Sequence, residues 1–281
     1  MTSTTLSPTE PPTHGTPPAP PGPTEATLPG PDRPADFRVD PDRIDLWLIR
    51  RPPLAEFDTL AHHELDDRER ERTAAFARRG DGLLYAAAHI GLRRLLGLYT
   101  ATSPDKVEFL REPCPGCGEP HGRPAVGPPP PPLHFSLSHS GTLAMVGLAT
   151  RPIGVDVEKL PGADTVEIAS KVLHPDEQAE LAATNDDTAR RDLFGRIWTR
   201  KEAYLKGIGT GLSRSPAKDY LGLDPGRHPE GWTLVRAPCD DAHAGSAAIA
   251  GPPPALAELR TLPADWLTAD WTPPAPTTPA P

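Results

Sequence analysis

Apolar and polar residues alternate along "RIDLWLI" (43–49), which predicts a strand with one buried face. The pattern then changes period. "LDDRERERTAAFARR" (65–79) is charge-dense and helix-prone, and "GDGLLYAAAHIGLRRLLGLY" (80–99) predicts a helix apolar enough for a core. Ser-Pro-Asp at 103–105 has the look of a helix start. "CPGCGEPHGRP" (114–124) is turn-rich and reads as loop, and five prolines at 128–132 form a stiff spacer leading into "LHFSLSHS" (133–140). Two strand-like runs follow, "TLAMVGLA" (142–149) and "IGVDVE" (153–158), split by a turn at 150–152. Helical patterns cover 165–173, 175–183 and 187–208, and strands are predicted at 231–237, 245–250 and 264–271. Helices mixed with antiparallel strands give an α+β class. Helix-plus-strand content recurs in the second half, which suggests a duplication without an exact repeat.

Composition sets the limits of this domain. Of 40 prolines, eleven fall in residues 1–36 and five in 273–281, where large apolar residues are few, so both ends are expected to be disordered tails. The remaining stretch suffices for one large domain or two small ones. A net charge of −9 argues against non-specific nucleic-acid binding, so an anionic ligand would need a local basic cluster. No apolar run is long enough to span a membrane, and the N-terminus lacks the blocks of a secretory signal. Three cysteines suit a reducing compartment, and a cytoplasmic protein is expected.

Candidate chemistry begins in "IGVDVEKL" (153–160). On a strand, Asp156 and Glu158 share a face at about 7 Å spacing, and like charges so placed destabilise a sheet. They belong either to a solvated edge or to a hard cation such as Mg²⁺, which prefers carboxylates, water and phosphate oxygens. In "WTRKEAYLK" (198–206), Trp198, Glu202 and Lys206 recur at helical spacing on one face. Glu202 offers a third carboxylate and Lys206 a phosphate clamp; the plainer alternative is a surface ion pair beside a core tryptophan. Ser138, His139 and Ser140 cluster at a strand end before Gly141, a setting that suits an anion. Arg68, Arg70, Arg72 and Arg123 supply candidate phosphate partners. Together these groups fit a Mg²⁺-dependent enzyme acting at a phosphate ester or pyrophosphate.

The same blocks, in the same order, resemble the 4′-phosphopantetheinyl transferases, specifically the larger pseudo-dimeric (Sfp-like) class that activates surfactin synthetase. The family's G-[VI]-D-[VI]-E pattern is matched by residues 154–158 and its W-[ST]-x-K-E-[AS]-x-x-K pattern by 198–206. Its "SHS" block is similar to Ser138-His139-Ser140, and its "GKP" block to Gly122-Arg123-Pro124. The resemblance implies two helix-plus-sheet halves related by a pseudo-twofold, 37–150 with nucleotide contacts and 151–272 with the metal carboxylates, and a site between them. It implies transfer of 4′-phosphopantetheine from coenzyme A to a serine of an apo acyl or peptidyl carrier protein, giving 3′,5′-ADP, in fatty acid, polyketide or non-ribosomal peptide synthesis. Asp156, Glu158 and Glu202 would hold Mg²⁺, with Glu202 also serving or positioning the general base. Lys206 would stabilise the departing phosphate, and Arg72, Arg123, Ser138 and His139 would contact coenzyme A. A monomer is expected, since one chain holds both halves.

Two features depart from the pattern. Leu84 stands near where the family carries an arginine, a contact that Arg78 or Arg79 could replace. The alternative reading is a non-catalytic module that binds coenzyme A or a carrier protein; a complete carboxylate set favours the enzyme. Cys114, Cys117 and His121 have the spacing of metal ligands, but a structural zinc site takes four, so the plainer reading of the loop is a turn.

Overall fold

A single layout, strand, helices, then hairpin, is built twice. The computed structural model describes residues 24–25, 37–38, 40–127 and 133–273. The expected tails lie almost entirely outside the described residues, and the spacer at 128–132 wholly so. A two-residue strand β1 (Thr24–Glu25) precedes the first unit. That unit contains β2 (Arg43–Arg50), α1 (Asp67–Ala74), α2 (Arg79–Thr100), the short pair β3 (Phe109–Arg111) and β4 (Pro124–Val126), and the hairpin β5 (His134–Ser140) and β6 (Leu143–Ala149). The second contains β7 (Ile153–Lys159), α3 (Ala163–Ala169), α4 (Pro175–Ala183), α5 (Asp187–Ile208), β8 (Trp232–Arg236) and β9 (His243–Ala250). A last strand, β10 (Leu256–Thr261), follows.

The pairing repeats as well. In each unit the hairpin's second strand lies between its first strand and the unit's opening strand, giving β2-β6-β5 and β7-β9-β8, all antiparallel. Alternation decides the layers. Trp47 and Ile49 of β2, with Ala144, Val146 and Leu148 of β6, pack under α2. Ile44, Leu46 and Leu48, with Leu143 and Met145, turn the other way and meet Ile153, Val155 and Val157 of β7. Ala248 of β9 turns outward with Trp232 and Leu234 of β8 to meet Ala203, Tyr204 and Leu205 of α5. The order is therefore helix, sheet, sheet, helix.

Local signals set the helix ends. Asp66 accepts from Glu69 N at 2.8 Å while Glu69 accepts from Asp66 N at 2.9 Å, a capping box that starts α1. Asp186 caps α5 through Ala189 N at 2.7 Å, and Gly209 ends it at φ 81°.

The last part of the chain departs from expectation. Residues 264–271 do not form a strand: Ala264–Leu267 is a 3-10 turn. The buried Arg94 accounts for this, because it donates to the carbonyls of Trp266 at 2.7 Å and Thr268 at 2.9 Å and lies 4.5 Å over the Trp271 ring. The strand is instead β10, parallel to β2. Leu262 and Leu267, close behind β10, are buried with α2.

Candidate active site

β5 and β7 are edge strands of different sheets, and serines join them. Ser136, Ser138 and Ser140 share one face of β5 by alternation. Ser136 Oγ accepts from Val155 N at 3.0 Å, and Ser140 Oγ accepts from Lys159 N at 3.1 Å. Ser138 Oγ donates to Asp156 Oδ1 at 2.8 Å, and Ser140 Oγ donates to Glu158 Oε2 at 2.6 Å. The row satisfies backbone donors that an open edge would leave to solvent, and it fixes both strand carboxylates.

α5 brings the other groups. Gly154 lets the helix lie directly on β7: a Cβ there would stand 2.0 Å from Ala203 O and 2.4 Å from Gly207 N. Lys206 then reaches across to Asp156 Oδ1 at 2.6 Å and Ser138 Oγ at 3.0 Å. Thr199 and Lys201 of the same motif anchor the helix. Thr199 Oγ1 is 2.9 Å from Ser246 Oγ, and the buried Lys201 pairs with Glu177 at 2.8 Å and donates to the carbonyls of Pro216 and Asp219.

The carboxylates share one electrostatic environment. Burial, then the Asp156 charge, pushes the Glu158 carboxyl above its ordinary range. Burial, then Asp156, raises Glu202 too; Glu158 adds to the rise and Lys206 opposes it. Asp156 is 1% exposed, and its Oδ2 is buried without a hydrogen-bond partner. The three carboxylates do not close to within 4.8 Å of one another, as the ligand atoms of Cys114, Cys117 and His121 do.

A cleft of about 610 Å³ opens beside this acid pocket, lined by Lys206, His139, Arg123, Arg68, Tyr85 and His89 among others. On the far side of His139 lies a second cleft of about 850 Å³, with Arg51, Arg78, Lys159 and His243 in its wall. Burial, then His89, Lys206 and Arg72, holds the His139 imidazole below its usual range. Arg123 is committed on both sides, to Glu112 at 2.6 Å and to Gly207 O at 3.0 Å. Arg72 lines neither cleft and packs 5.1 Å over Phe76. Arg70 pairs with Asp67 at 2.5 Å, Arg79 lies over Phe57, and Leu84 is 3% exposed in the core.

The motifs gave no sign of one cleft wall. Tyr85 stacks on His89 at 4.1 Å and meets His139 edge-on at 5.7 Å. His89 Nδ1 bonds Glu69 at 2.8 Å, and Arg93 completes the network at 2.7 Å. The i, i+4 spacing of Tyr85, His89 and Arg93 is the signal that could have revealed it.

The chain is similar to proteins already known. Residues 152–248 match the family model of the 4′-phosphopantetheinyl transferase superfamily. The 4′-phosphopantetheinyl transferase HetI of Nostoc sp. is 30% identical over 229 residues, covering 78% of this chain and 92% of HetI. A 4′-phosphopantetheinyl transferase of Bacillus subtilis is 38% identical over 94 residues, covering 33% of this chain and 40% of that enzyme. A phosphopantetheinyl transferase of Thraustochytrium sp. is 29% identical over 236 residues, covering 74% and 79%. The chain belongs to the 4′-phosphopantetheinyl transferase superfamily. Its class is that of the transferases, and no described helix is long and apolar enough to cross a membrane.

Proposed function

We propose that this protein transfers 4′-phosphopantetheine from coenzyme A to a serine of an apo acyl or peptidyl carrier protein, releasing 3′,5′-ADP. The observation that carries this reading is Asp156. One oxygen bonds Lys206 and Ser138, and the other is buried and unpartnered on the strand that bears Glu158. Leaving a buried carboxylate oxygen unpaired is costly. An all-oxygen set from Asp156, Glu158 and Glu202 fits Mg²⁺. When bound there, Mg²⁺ would neutralise pyrophosphate charge and polarise the phosphorus under attack.

The chain's own groups supply the rest. Glu202, with its carboxyl raised by burial and by Asp156, is suited to take the proton of the attacking serine. The serine oxygen bonds to the phosphorus bearing pantetheine, the bond from that phosphorus to the bridging oxygen breaks, and 3′,5′-ADP leaves with the electron pair. Lys206 lies between Asp156 and the 610 Å³ cleft, where it can meet the charge gathering on the leaving phosphate. His139 and Arg123 line that cleft and are assigned to the coenzyme's phosphates. Arg72 acts on His139 through its charge, and Ser138 orients Asp156 and Lys206. A monomer acting in the cytoplasm on polyketide or non-ribosomal peptide carriers completes the reading.

Incubation with Mg²⁺, coenzyme A and an apo carrier should add one phosphopantetheine to the carrier, read by intact mass. Unchanged mass across fatty acid, polyketide and peptide carriers would refute the proposal and leave the binding-module alternative. Excess EDTA should stop the mass change and added Mg²⁺ restore it. Lys206→Ala should fold and lower kcat by about 100-fold, since one stabilising donor is removed from the transition state. A kcat within about threefold of wild type would remove Lys206 from this role.

A further inference from the structure

The loop between β3 and β4 carries a group of side chains that the transfer reaction does not use. Cys114, Cys117 and His121 each offer one ligand atom, and those atoms lie within 4.8 Å of one another. Cys117 Sγ and His121 Nε2 are 3.0 Å apart. Tetrahedral zinc bonds of about 2.3 Å to sulfur and about 2.0 Å to nitrogen place their outer atoms roughly 3.5–3.8 Å apart. Shifts of about 1 Å or less, mostly in exposed side chains, would therefore close the loop on an ion.

The backbone is built for such closure. Cys114 N donates to Glu119 O at 2.8 Å, and Gly118 N donates to Cys114 O at 2.8 Å. Gly118 sits at φ 79°, which folds the two cysteines onto one side of the turn. The loop's base is tied by Glu112 N to Arg123 O and Gly122 N to Glu112 O, both at 2.9 Å.

We propose that Cys114, Cys117 and His121 bind a zinc ion, with water in the fourth position. Two sulfurs and an imidazole select a soft or borderline metal over Mg²⁺, which keeps this site chemically separate from the carboxylates. Cys117 and His121 are exposed, so water can reach the open position. Binding releases the protons of the two thiols.

The ion would act as a clasp between the halves. His121, Gly122 and Arg123 line the 610 Å³ cleft, and Arg123 bonds Gly207 O at the end of α5. A Cβ at Gly209 would lie 3.6 Å from Pro115 Cδ, so the loop rests on the exit of that helix, three residues past Lys206. Holding the loop closed therefore holds one cleft wall against the helix that carries Glu202 and Lys206.

Full-length protein produced with zinc and purified without a metal-chelating tag should contain about one zinc per chain by elemental analysis. Cys117→Ser and His121→Gln, both at exposed positions, should fold yet fall to roughly a tenth of that content, whereas Asp156→Asn should keep its zinc. Cobalt substitution should give thiolate-to-metal charge-transfer absorption, absent in Cys117→Ser. A zinc-selective chelator should lower the melting temperature of the wild type and leave Cys117→Ser unmoved. A wild type that lacks zinc and takes none from a chromophoric chelator overturns the proposal. So does zinc that survives both loop substitutions, or that is lost only in Asp156→Asn.

Discussion

Glu202→Gln should yield a protein that melts at a higher temperature than the wild type and has lost transfer activity. The first effect follows from proton linkage. Burial and the neighbouring Asp156 raise the folded-state pKa of Glu202, so the native state holds that proton more tightly than the unfolded chain does. Stability contributed by such a group is fully present below the unfolded pKa and is lost as pH climbs through the folded one. At neutral pH and without divalent cations, the ionised carboxylate is therefore a burden that the amide removes. The melting difference should vanish at low pH, where the wild-type carboxyl is protonated, and shrink when Mg²⁺ is added. Loss of a general base costs about 10²–10⁴-fold in rate, so kcat should fall at least about 100-fold. Melting curves across pH paired with carrier mass analysis measure both. A variant less stable than the wild type at neutral pH would contradict the repulsion argument, and full activity would remove Glu202 from catalysis.

Gly154→Ala should be the most damaging single-methyl substitution at the site. The added carbon would need space 2.0 Å from Ala203 O and 2.4 Å from Gly207 N, both main-chain atoms of a helix that cannot swing aside. Overpacking a rigid contact costs about 1–3 kcal/mol and sometimes more, and main-chain neighbours on both sides put this case at the top of that range. Any relief must separate α5 from β7, which would also pull Lys206 from Asp156. Denaturant titration should show a lower midpoint, and activity should fall in protein that remains folded. Wild-type stability in this variant would mean that the strand and helix are less tightly apposed than described.

Physical patterning explains why some parts of the structure were readable and others were not. α5 was legible because helical periodicity runs through 187–208, the bounds the helix takes. The carboxylate strand was legible because two acids in an apolar run demand a reason. β10 was not legible. In "LAELRT", Glu258 and Arg260 read as a solvated face, yet Arg260 is buried against Asp45, which lies 215 residues away in sequence. Tyr99 bonds the other oxygen of that Asp45 at 2.5 Å. A charge paired across such a separation leaves no local trace. His89 was hidden differently: it lies on a helix whose neighbours are core residues, and its partner Glu69 belongs to a run that looks wholly solvated. In sequence the serines of β5 read as an anion site, but their row along an edge appears only when β7 stands opposite.

The position of β10 bears on how the polypeptide folds during synthesis. Domains generally fold as units, the N-terminal one first while the rest is being made. Here β2 is among the first strands to be made, yet its parallel neighbour is nearly the last. Until β10 has been added, β2 presents an open edge, and the space under α2 stays vacant until Leu262 and Leu267 follow. The half that is made first is thus completed last. The nascent chain carries a sticky sheet edge through most of its elongation, and a gene split between the two halves would strand that edge in one fragment and its cover in the other.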